Sequence, residues 1–526
     1  MKMIRYLFFT WMMLVVLNTS ISQNTNLSNA ISFNGEPFLM VNPSNHQHIV
    51  VAWMSFQLNN NLVMKIRTSF DAGVTWTTPV TIPHVVAGYT SADPSMAFDS
   101  NGNLFLCYID YNATTFQGGV YIVKSTDGGI TWGTPIEVIN ANADGNQYPI
   151  DRPWMVIDQS GGIYDGNIYI TTMPPSFVTP PNRAYFVKST DGGNSFSTWN
   201  YLDGAGALIG NFINSPMPTP TINNNGILQI AYPSYVESQN VYPQFILATS
   251  SDGGTSFSYQ PMFNVTSSNN DTLPKKGYTL ISNPSNANHL VFAFPGNDHG
   301  DLDIFISETF DGGSTWSLPI RVNDDPIGNK RMQDLVWADF DTDGDLVLAW
   351  RDRRNSNDTT YTTSSEIYAA VRWNGHPNFS TNFSLTDSSI SYHTILAQKG
   401  NDFMGVNIIN DTLYAAWGDP RNGFLNIWFQ RVDLQNGGVF IRELENETGA
   451  FKIYPNPTKH AISLDFLKLD LDGAVLSIYN HLGQLIFQRS QLNLLKNIDV
   501  SSFEKGTYTI KISNKNGNYI QKLVVN

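Results

Sequence analysis

Three features are scarce in this sequence, and each scarcity excludes a class of protein. Only one of the 526 residues is cysteine, Cys107, so internal disulfides cannot hold the fold together. Charged residues make up only 14% of the chain, and 44 acidic side chains outnumber 30 basic ones. The net charge of −14 argues against nucleic acid or an anionic membrane as the main partner. The apolar share of 41% is nevertheless enough for a large core.

Long hydrophobic runs are scarce as well, and the one at the N-terminus has the features of a signal peptide. Lys2 and Arg5 precede an apolar run from Tyr6 to Leu17, and the small residues of Ser20-Ile21-Ser22 follow it. A helix of that length is too short to cross a bilayer core of about 30 Å. We therefore predict a signal peptide at residues 1–22 and no transmembrane span in the mature protein.

The last 76 residues, 451–526, have a different sequence pattern from the middle of the chain. Short alternating strands are separated by glycine-containing turns, which is typical of a small antiparallel β-sandwich. The segments Tyr454-Pro455-Asn456-Pro457, Gly506-Thr507-Tyr508 and Lys522-Leu523-Val524-Val525 resemble the C-terminal sorting domain of type IX secretion cargo. This resemblance implies export across an outer membrane, with the type IX machinery as a partner and a secreted or cell-surface location. A polar linker is predicted at residues 442–450.

The middle of the chain is built from a repeated turn motif. The segment STDGGITW at Ser125 recurs with small changes at four other places, and its glycines permit the positive φ angles of a tight turn. The aspartates of the five copies, which we call Asp-boxes, are Asp71, Asp127, Asp191, Asp252 and Asp311. Their spacing of about 60 residues suits one four-stranded blade of a β-propeller per copy.

A second repeat, a strand, a tight turn and a second strand, precedes each Asp-box. It occurs seven times, because two further copies follow the last box, at Trp337 and Gly405. We therefore predict an all-β protein in which a propeller occupies residues 30–441, with seven blades favoured and six left open. The Asp-boxes resemble those of the sialidase superfamily of propellers, over residues 34 to 441. That resemblance implies the fold but not an activity, since the motif also occurs in noncatalytic proteins.

Antiparallel strand order predicts which end of the ring can hold a ligand. The boxes lie at one end, so the starts of first strands and the ends of second strands lie at the other, which we call the top. Paired carboxylates there could run glycoside hydrolysis, and arginines could bind acidic groups. The candidate catalytic residues are Asp151, Asp334 and Asp352. The candidate ligand-binding residues are Glu36, Asp93, Arg152, Trp154, Arg331, Arg353 and Arg421.

An alternative for these charged residues is that they pair with one another and hold the blades together. Sialidases carry Arg-Ile-Pro or Arg-Leu-Pro in the first strand, where this chain has Glu36-Pro37-Phe38, so a typical sialidase is not expected. Trp154, Tyr111, Tyr235 and Trp350 are candidates for stacking on sugars.

One stretch is similar to the start of a calcium-binding loop. Its possible ligands, at alternate positions, are Asp339, Asp341, Asp343 and Asp345. The twelfth position is Trp350 instead of the glutamate that completes an EF-hand, so a plain β-turn is the alternative. No other cofactor or metal is predicted.

Three functions remain open from the sequence. The first is an exported propeller that recognises an extracellular glycan or protein at its top. The second is a glycoside hydrolase that uses carboxylates at the same place. The third is an adhesive or structural surface protein without a catalytic site.

Overall fold

The computed structural model describes residues 24–57, 61–236, 241–264, 277–393, 401–434 and 451–526, the last range with gaps at 467–470, 472, 481–484, 491, 493–496 and 515–516. The chain divides into two compact units, Met1–Gly438 and Val439–Asn526. The predicted signal peptide and linker lie outside the described residues. No helix among the described residues is long and apolar enough to cross a membrane.

The first unit contains seven four-stranded antiparallel sheets within its described part. The first three are β2 (Asn34–Asn42), β3 (Asn45–Phe56), β4 (Leu62–Ser69) and β5 (Val80–Thr81); β6 (Thr90–Phe98), β7 (Leu104–Tyr111), β8 (Gly118–Ser125) and β9 (Ile136–Asn140); and β10 (Asp151–Ile157), β11 (Ile168–Met173), β12 (Tyr185–Ser189) and β13 (Asn200–Tyr201). A short 3₁₀ helix, Gly145–Gln147, precedes β10.

The remaining four sheets continue the same order. They are β14 (Thr219–Ile222), β15 (Leu228–Val236), β16 (Val241–Ser250) and β17 (Ser258–Asn264); β18 (Thr279–Ser282), β19 (Leu290–Gly296), β20 (Asp303–Thr309) and β21 (Ile320–Arg321); β22 (Gln333–Phe340), β23 (Leu346–Asp352), β24 (Glu366–Arg372) and β25 (Phe383–Ser384); and β26 (Gly405–Ile409), β27 (Thr412–Asp419) and β28 (Asn426–Asp433), completed by β1 (Thr25–Asn26).

The first strand of each sheet contacts the first strand of the next, and β26 of the last sheet contacts β2 of the first. The sheets therefore form a closed ring around one axis, and the predicted all-β propeller is confirmed. The seven strand pairs predicted from the sequence all occur, as β2–β3, β6–β7, β10–β11, β14–β15, β18–β19, β22–β23 and β26–β27.

The last sheet is closed by the beginning of the chain. Thr25 and Asn26 of β1 pair with Phe429 and Trp428 of β28, and Leu27, directly after β1, is fully buried. The predicted start of the propeller at residue 30 lies just beyond this strand. A two-residue strand has no periodicity, so the sequence pattern gives no indication of it.

Second strands are almost entirely buried because each sheet packs against a neighbour on both faces. Trp53, Tyr108, Trp350 and Trp417 occupy corresponding places in β3, β7, β23 and β27, and all four are 0–1% exposed. Such large side chains fill the space between neighbouring sheets. Trp350 was a candidate for stacking on a sugar, and its complete burial rules that role out.

The Asp-boxes form tight turns whose aspartate accepts hydrogen bonds from its own loop. Asp252 accepts bonds from the amides of Thr255 and Ser256 at 3.0 and 2.9 Å and from the Ser256 hydroxyl at 2.6 Å. These donors lower the pKa of Asp252. The second glycine of a box packs on the preceding sheet: a Cβ on Gly313 would lie 2.3 Å from Leu247.

The second unit contains two antiparallel sheets among its described residues, as expected for a small sandwich. One sheet is β29 (Phe451–Tyr454), β30 (Ala461–Phe466) and β33 (Asn497–Asp499). The other is β31 (Val475–Tyr479), β32 (Leu485–Ser490), β34 (Gly506–Asn514) and β35 (Gly517–Val525). Apolar residues of both sheets, such as Ile462 and Ile510, pack in one core.

Candidate functional site

A β-bulge interrupts four first strands where they begin, at the top of the ring. The pairing register shifts between Gly35 and Phe38, Ala92 and Ser95, Asp151 and Trp154, and Asp334 and Trp337. Each bulge holds one residue at positive φ, namely Glu36, Asp93, Arg152 and Leu335. A bulge changes the direction of a side chain. The same backbone geometry, a bulge with one residue at positive φ, therefore positions three charged side chains and one leucine.

Arg152 is the centre of a charged cluster formed by four sheets. Its Nη2 donates to Asp402 Oδ2 at 3.0 Å, and its backbone amide donates to Asp93 Oδ2 at 3.0 Å. Burial lowers the pKa of Arg152, but the negative charges of Asp402, Asp151, Asp93 and Glu36 outweigh it and raise the pKa. We call these five residues the Arg152 cluster. The sequence predicted four of them as site residues; Asp402 was not among the predicted residues.

Asp151 is the titratable member of the Arg152 cluster. Burial raises its pKa well above the usual value, the negative charge of Asp93 raises it further, and Arg152 opposes both. Asp151 also hydrogen-bonds to Asp93. The raised pKa of Asp151 and its contact with Asp93 make the two carboxyl groups a coupled pair.

Asp334 lies in a different environment, within the sixth sheet. It accepts bonds from Arg351 Nη2 and the Tyr361 hydroxyl, each at 2.6 Å, and from Arg353 Nη1 at 3.2 Å. Burial raises its pKa, but the charges of Arg351 and Arg353 hold the pKa well below the usual range. Asp334 is 1% exposed. This geometry is typical of a structural ion pair, the alternative that the sequence left open.

Asp352 and the remaining arginines also have partners in their own neighbourhood. Asp352 Oδ2 accepts bonds from Trp350 Nε1 at 2.8 Å and Arg354 Nε at 3.0 Å. Arg331 donates to the Ser356 hydroxyl at 2.8 Å, and Arg421 Nε donates to Asp419 Oδ2 at 2.7 Å. The predicted site residues therefore separate into the Arg152 cluster and local ion pairs of the sixth and seventh sheets.

Trp154 lies on the axis and not on an open surface. Its ring centroid is 5.9 Å from that of Phe38, 5.5 Å from that of Trp337 and 4.8 Å from that of Phe403, and the side chain is 6% exposed. We call these four residues the aromatic layer. The Arg152 guanidinium lies 5.6 Å from the Phe403 ring, so the Arg152 cluster rests against this layer.

Aromatic side chains lie beside the Arg152 cluster: Tyr111, which the sequence predicted for stacking on a sugar, and three that it did not predict. The ring of Phe116 is 6.3 Å from Tyr111, 4.5 Å from Tyr148 and 5.6 Å from Phe177. Burial and, to a lesser degree, the negative charges of Asp93 and Asp151 raise the pKa of Tyr111, which places it next to the cluster. We call these four residues the aromatic rim. Except for Tyr111 they lie in loops outside the repeat, where no periodic signal marks them.

The four aspartates of the calcium hypothesis do not converge. Asp339 Oδ2 accepts bonds from Asn407 Nδ2 and the Ile408 amide, at 2.9 and 3.1 Å. Asp341 accepts the Asp411 amide at 3.0 Å, and Asp345 accepts the Asn374 amide at 2.6 Å. Within the described ranges, no group of three or more His, Cys, Asp or Glu side chains is placed to hold a metal ion. These carboxylates, Asp343 excepted, accept backbone amides from neighbouring segments.

Comparison with known families gives two matches. The model described as BNR repeat-like domain matches residues 47–330, which is more than half of the chain. The model described as secretion system C-terminal sorting domain matches residues 452–526. The prediction of a sorting domain is thereby confirmed, and the protein is exported to the cell surface or secreted by the type IX route. None of the curated proteins matches the sequence.

Several solved structures resemble the chain at low identity. A Dyadobacter fermentans protein of unknown function has 14% identity and a TM-score of 0.40, with 78% of this chain and 99% of that one covered. The Penicillium chrysogenum α-L-arabinanase has 12% identity and a TM-score of 0.44, covering 79% and 98%. The NanB sialidase of Streptococcus pneumoniae has 12% identity and a TM-score of 0.38, covering 79% and 70%. The named activities are those of the other proteins.

Proposed function

The chain belongs to the BNR repeat-like domain family, and from this premise we propose that the exported protein recognises an extracellular glycan at the top of its ring. The observation that carries the proposal is the Arg152 cluster. It gathers fixed hydrogen-bonding groups from four sheets at one place on the axis. Asp151 and Arg152 are half-buried, so both reach solvent. A rigid polar site of this kind suits the hydroxyl groups of a sugar.

The charge balance of the cluster indicates which glycans would bind. One guanidinium faces four carboxyl groups, those of Glu36, Asp93, Asp151 and Asp402, and the raised pKa of Asp151 can neutralise only one of them. The cluster is therefore net negative and would repel carboxylate-bearing sugars such as sialic acids and uronic acids. Neutral sugars and amino sugars are the expected ligands.

The aromatic rim supports a glycan over a small polar ion. Phe177 is 55% exposed, and its ring lies 5.6 Å from that of Phe116. Aromatic rings beside convergent polar groups are a common way to bind the apolar face of a sugar. A glycan of more than one residue could contact both the rim and the Arg152 cluster.

Glycoside hydrolysis is the second candidate, because Asp151, whose pKa is raised, lies beside the carboxyl group of Asp93. The two carboxyl groups of a retaining or inverting glycosidase are separated by roughly 5–9.5 Å. Asp93 and Asp151 share a hydrogen bond and are therefore closer than this. The geometry favours recognition over this type of hydrolysis.

The test is a glycan array probed with the wild-type protein and with Arg152→Gln. We expect binding to neutral or amino-sugar glycans and a loss of at least about tenfold in the variant, because a charged hydrogen bond is lost. Arg331→Gln is the matched control, since Arg331 bonds to the Ser356 loop, and it should bind as the wild type does.

The same preparations are assayed for release of reducing ends from neutral polysaccharides. Release that Asp151→Asn abolishes would replace the recognition proposal with hydrolysis. Array binding that Arg152→Gln leaves unchanged would remove the Arg152 cluster as the site.

A further inference from the structure

Two of the seven strand pairs share a turn that the other five lack. Its sequence is Asn-Pro-Ser-Asn-x-x-His, and it ends at His48 in the first sheet and at His289 in the fifth. The Asp-boxes of these two sheets are also the two in which phenylalanine precedes the aspartate, as Phe70 and Phe310. In both sheets this phenylalanine stacks on the histidine, with ring centroids 4.9 and 4.3 Å apart. The turn and the box therefore act as one unit.

The hydrogen bonds around His48 fix the position of its proton. Asn42 Oδ1 accepts the amide and the hydroxyl of Ser44, at 2.9 and 2.8 Å. Asn42 Nδ2 therefore faces His48 Nδ1, at 3.1 Å, and an amide nitrogen can only donate. Because Nδ1 must accept this bond, the proton of the neutral ring lies on Nε2, which donates to the Gly128 carbonyl at 3.0 Å.

This histidine connects two neighbouring sheets. Gly128 belongs to the Asp-box of the second sheet, whereas His48 belongs to the first. A Cβ on Gly128 would lie 3.0 Å from the imidazole ring, and His48 is 3% exposed. We call Asn42, His48 and Gly128 the His48 joint.

The groups that contact His48 in the described part of the chain are uncharged. It bonds to the Asn42 amide and to a backbone carbonyl. Its ring centroid lies 4.9 Å from that of Phe70 and 5.4 Å from that of Phe98. The carboxylates in the adjoining turns each accept an amide of their own turn, at 2.8–2.9 Å: Asp71, Asp99 and Asp127.

The geometry of the His48 joint disfavours the charged form of its histidine. A second proton would lie on Nδ1 and point at Asn42 Nδ2, which has hydrogens and no acceptor. Asn42 cannot turn its oxygen to the ring without losing both bonds to Ser44. Burial acts in the same direction and lowers the pKa of His48 from its usual 6.5, and the bond to the Gly128 carbonyl opposes this only in part.

The same turn in the fifth sheet has a different partner. His289 Nδ1 also faces an asparagine, Asn283 Nδ2 at 2.9 Å, but its Nε2 faces Glu308 Oε2 at 3.2 Å. Glu308 in turn accepts two bonds from Arg372 of the sixth sheet, at 3.0 and 2.6 Å. An ion pair therefore joins the fifth and sixth sheets, and its carboxylate can balance a charge on His289.

We propose that the His48 joint is an acid-sensitive contact of the ring, which loosens in mildly acidic solution while the ion-paired contact between the fifth and sixth sheets holds. In the unfolded chain His48 takes up a proton at about pH 6.5, and in the joint it does so only at lower pH. The contribution of the joint to stability is therefore complete above this pH and is lost as the pH falls below it. Because the protein is exported, the pH of its surroundings acts directly on this contact.

The test is hydrogen–deuterium exchange of the full-length protein at about pH 7.5 and about pH 5.5, with rates corrected for the intrinsic effect of pH. Peptides that cover residues 42–50 and 125–132 should exchange faster at the lower pH, by up to about tenfold. This limit follows because one proton changes an opening equilibrium by at most tenfold for each pH unit below 6.5. Peptides that cover residues 283–291 should show no such change.

Three variants test the cause. Asn42→Asp keeps the acceptor for Ser44 and offers a carboxylate oxygen to a protonated Nδ1, so its joint should become more protected at the lower pH. His48→Gln places a side chain that does not titrate in the joint and should remove the pH response. His46→Gln, two residues earlier in the same turn, is the matched control and should respond as the wild type does, because neither hydrogen bond of His46 involves the joint.

Melting temperatures at about pH 7.5 show whether each variant folds, and His48→Gln carries the test if Asn42→Asp does not fold. Equal exchange at the two pH values in both wild-type segments of the joint would overturn the proposal. So would an acid response that His48→Gln retains or that His46→Gln removes. A folded Asn42→Asp variant that loosens in acid as the wild type does would show that the neutral ring is not the cause, and would likewise overturn it.

Discussion

The two ends of the ring use repetition in opposite ways. At the Asp-box end, five sheets carry the same turn, and each aspartate bonds within its own loop. At the top, four bulges share one backbone geometry, but their positive-φ residues are Glu36, Asp93, Arg152 and Leu335. Hydrogen bonds there connect distant sheets, as between Arg152 and Asp402. The repeated turns therefore belong to the scaffold, whereas the candidate site lies where different side chains occupy the same backbone geometry.

This comparison separates two measurable properties. Changes at the Asp-box end should alter stability and leave ligand binding intact. Changes in the Arg152 cluster should alter binding first. The top also contains local ion pairs, such as that of Asp334, and these should behave like scaffold despite their position.

The largest expected effect is a loss of stability at Asp334, and it distinguishes the local ion pairs of the top from the Arg152 cluster. Asp334→Ala leaves Arg351 and Arg353 without their shared carboxylate at a site that is 1% exposed. Breaking a buried pair in this way should lower the free energy of unfolding by about 3–5 kcal/mol. Urea denaturation measures it, with the exposed Asp358→Ala as the control. Equal stability of the two variants would contradict the scaffold role.

The next effect concerns two neighbouring glycines of one Asp-box. A Cβ at Gly312 would come no closer than 3.7 Å to its nearest neighbour, whereas at Gly313 it would lie 2.3 Å from the buried Leu247. Both residues have positive φ. Gly312→Ala should therefore cost about 1 kcal/mol of strain, and Gly313→Ala about 2–4 kcal/mol because the clash is added. Similar unfolding curves for the two variants would show that the box does not pack on the preceding sheet.

A smaller effect is expected at the aspartate of a box. Asp252→Ala removes an acceptor from Ser256 and Thr255, and should lower the melting temperature by about 2 °C. The double variant with Asp191→Ala should give the sum of the two shifts, because the boxes are separate. Glycan binding that falls in proportion to these shifts would contradict the assignment of stability to one end and binding to the other.

The last prediction concerns the pH dependence of stability. Burial raises the pKa of Asp339 from 3.8 to about 7. The folded protein therefore holds this proton more tightly than the unfolded chain does. Its contribution to stability falls as pH rises from about 4 to about 7.

Asp339→Asn keeps the acceptor for the Ile408 amide and removes the titration. The melting temperature of the variant relative to wild type should therefore rise across this pH interval, as measured by scanning calorimetry. Asp343→Asn, in the same turn, is the control. A constant difference across the interval would contradict the raised pKa.

The periodic parts of the molecule could be predicted from the sequence, and the nonperiodic parts could not. The strand pairs and the Asp-boxes follow repeated patterns, so the all-β ring was expected. The bulges leave only a weak signal, a charged residue before proline as in Glu36-Pro37 and Asp93-Pro94. Nothing in one sequence indicates that Asp334 faces Arg351 while Asp151 faces Asp93, because those partners are set by tertiary packing.

The pairing of β1 with β28, which closes the ring, has a consequence for how the chain folds. Strand β1 precedes every other strand in the sequence, yet it pairs with β28, about 400 residues later. A growing or partly translocated chain can assemble the inner sheets in turn, but it cannot shut the circle until residue 429 is present. This long-range pairing is entropically costly, so circle closure should be the slow, last step of folding. A circular permutant that joins β28 directly to β1, and whose new termini lie between two other sheets, should fold without this delay.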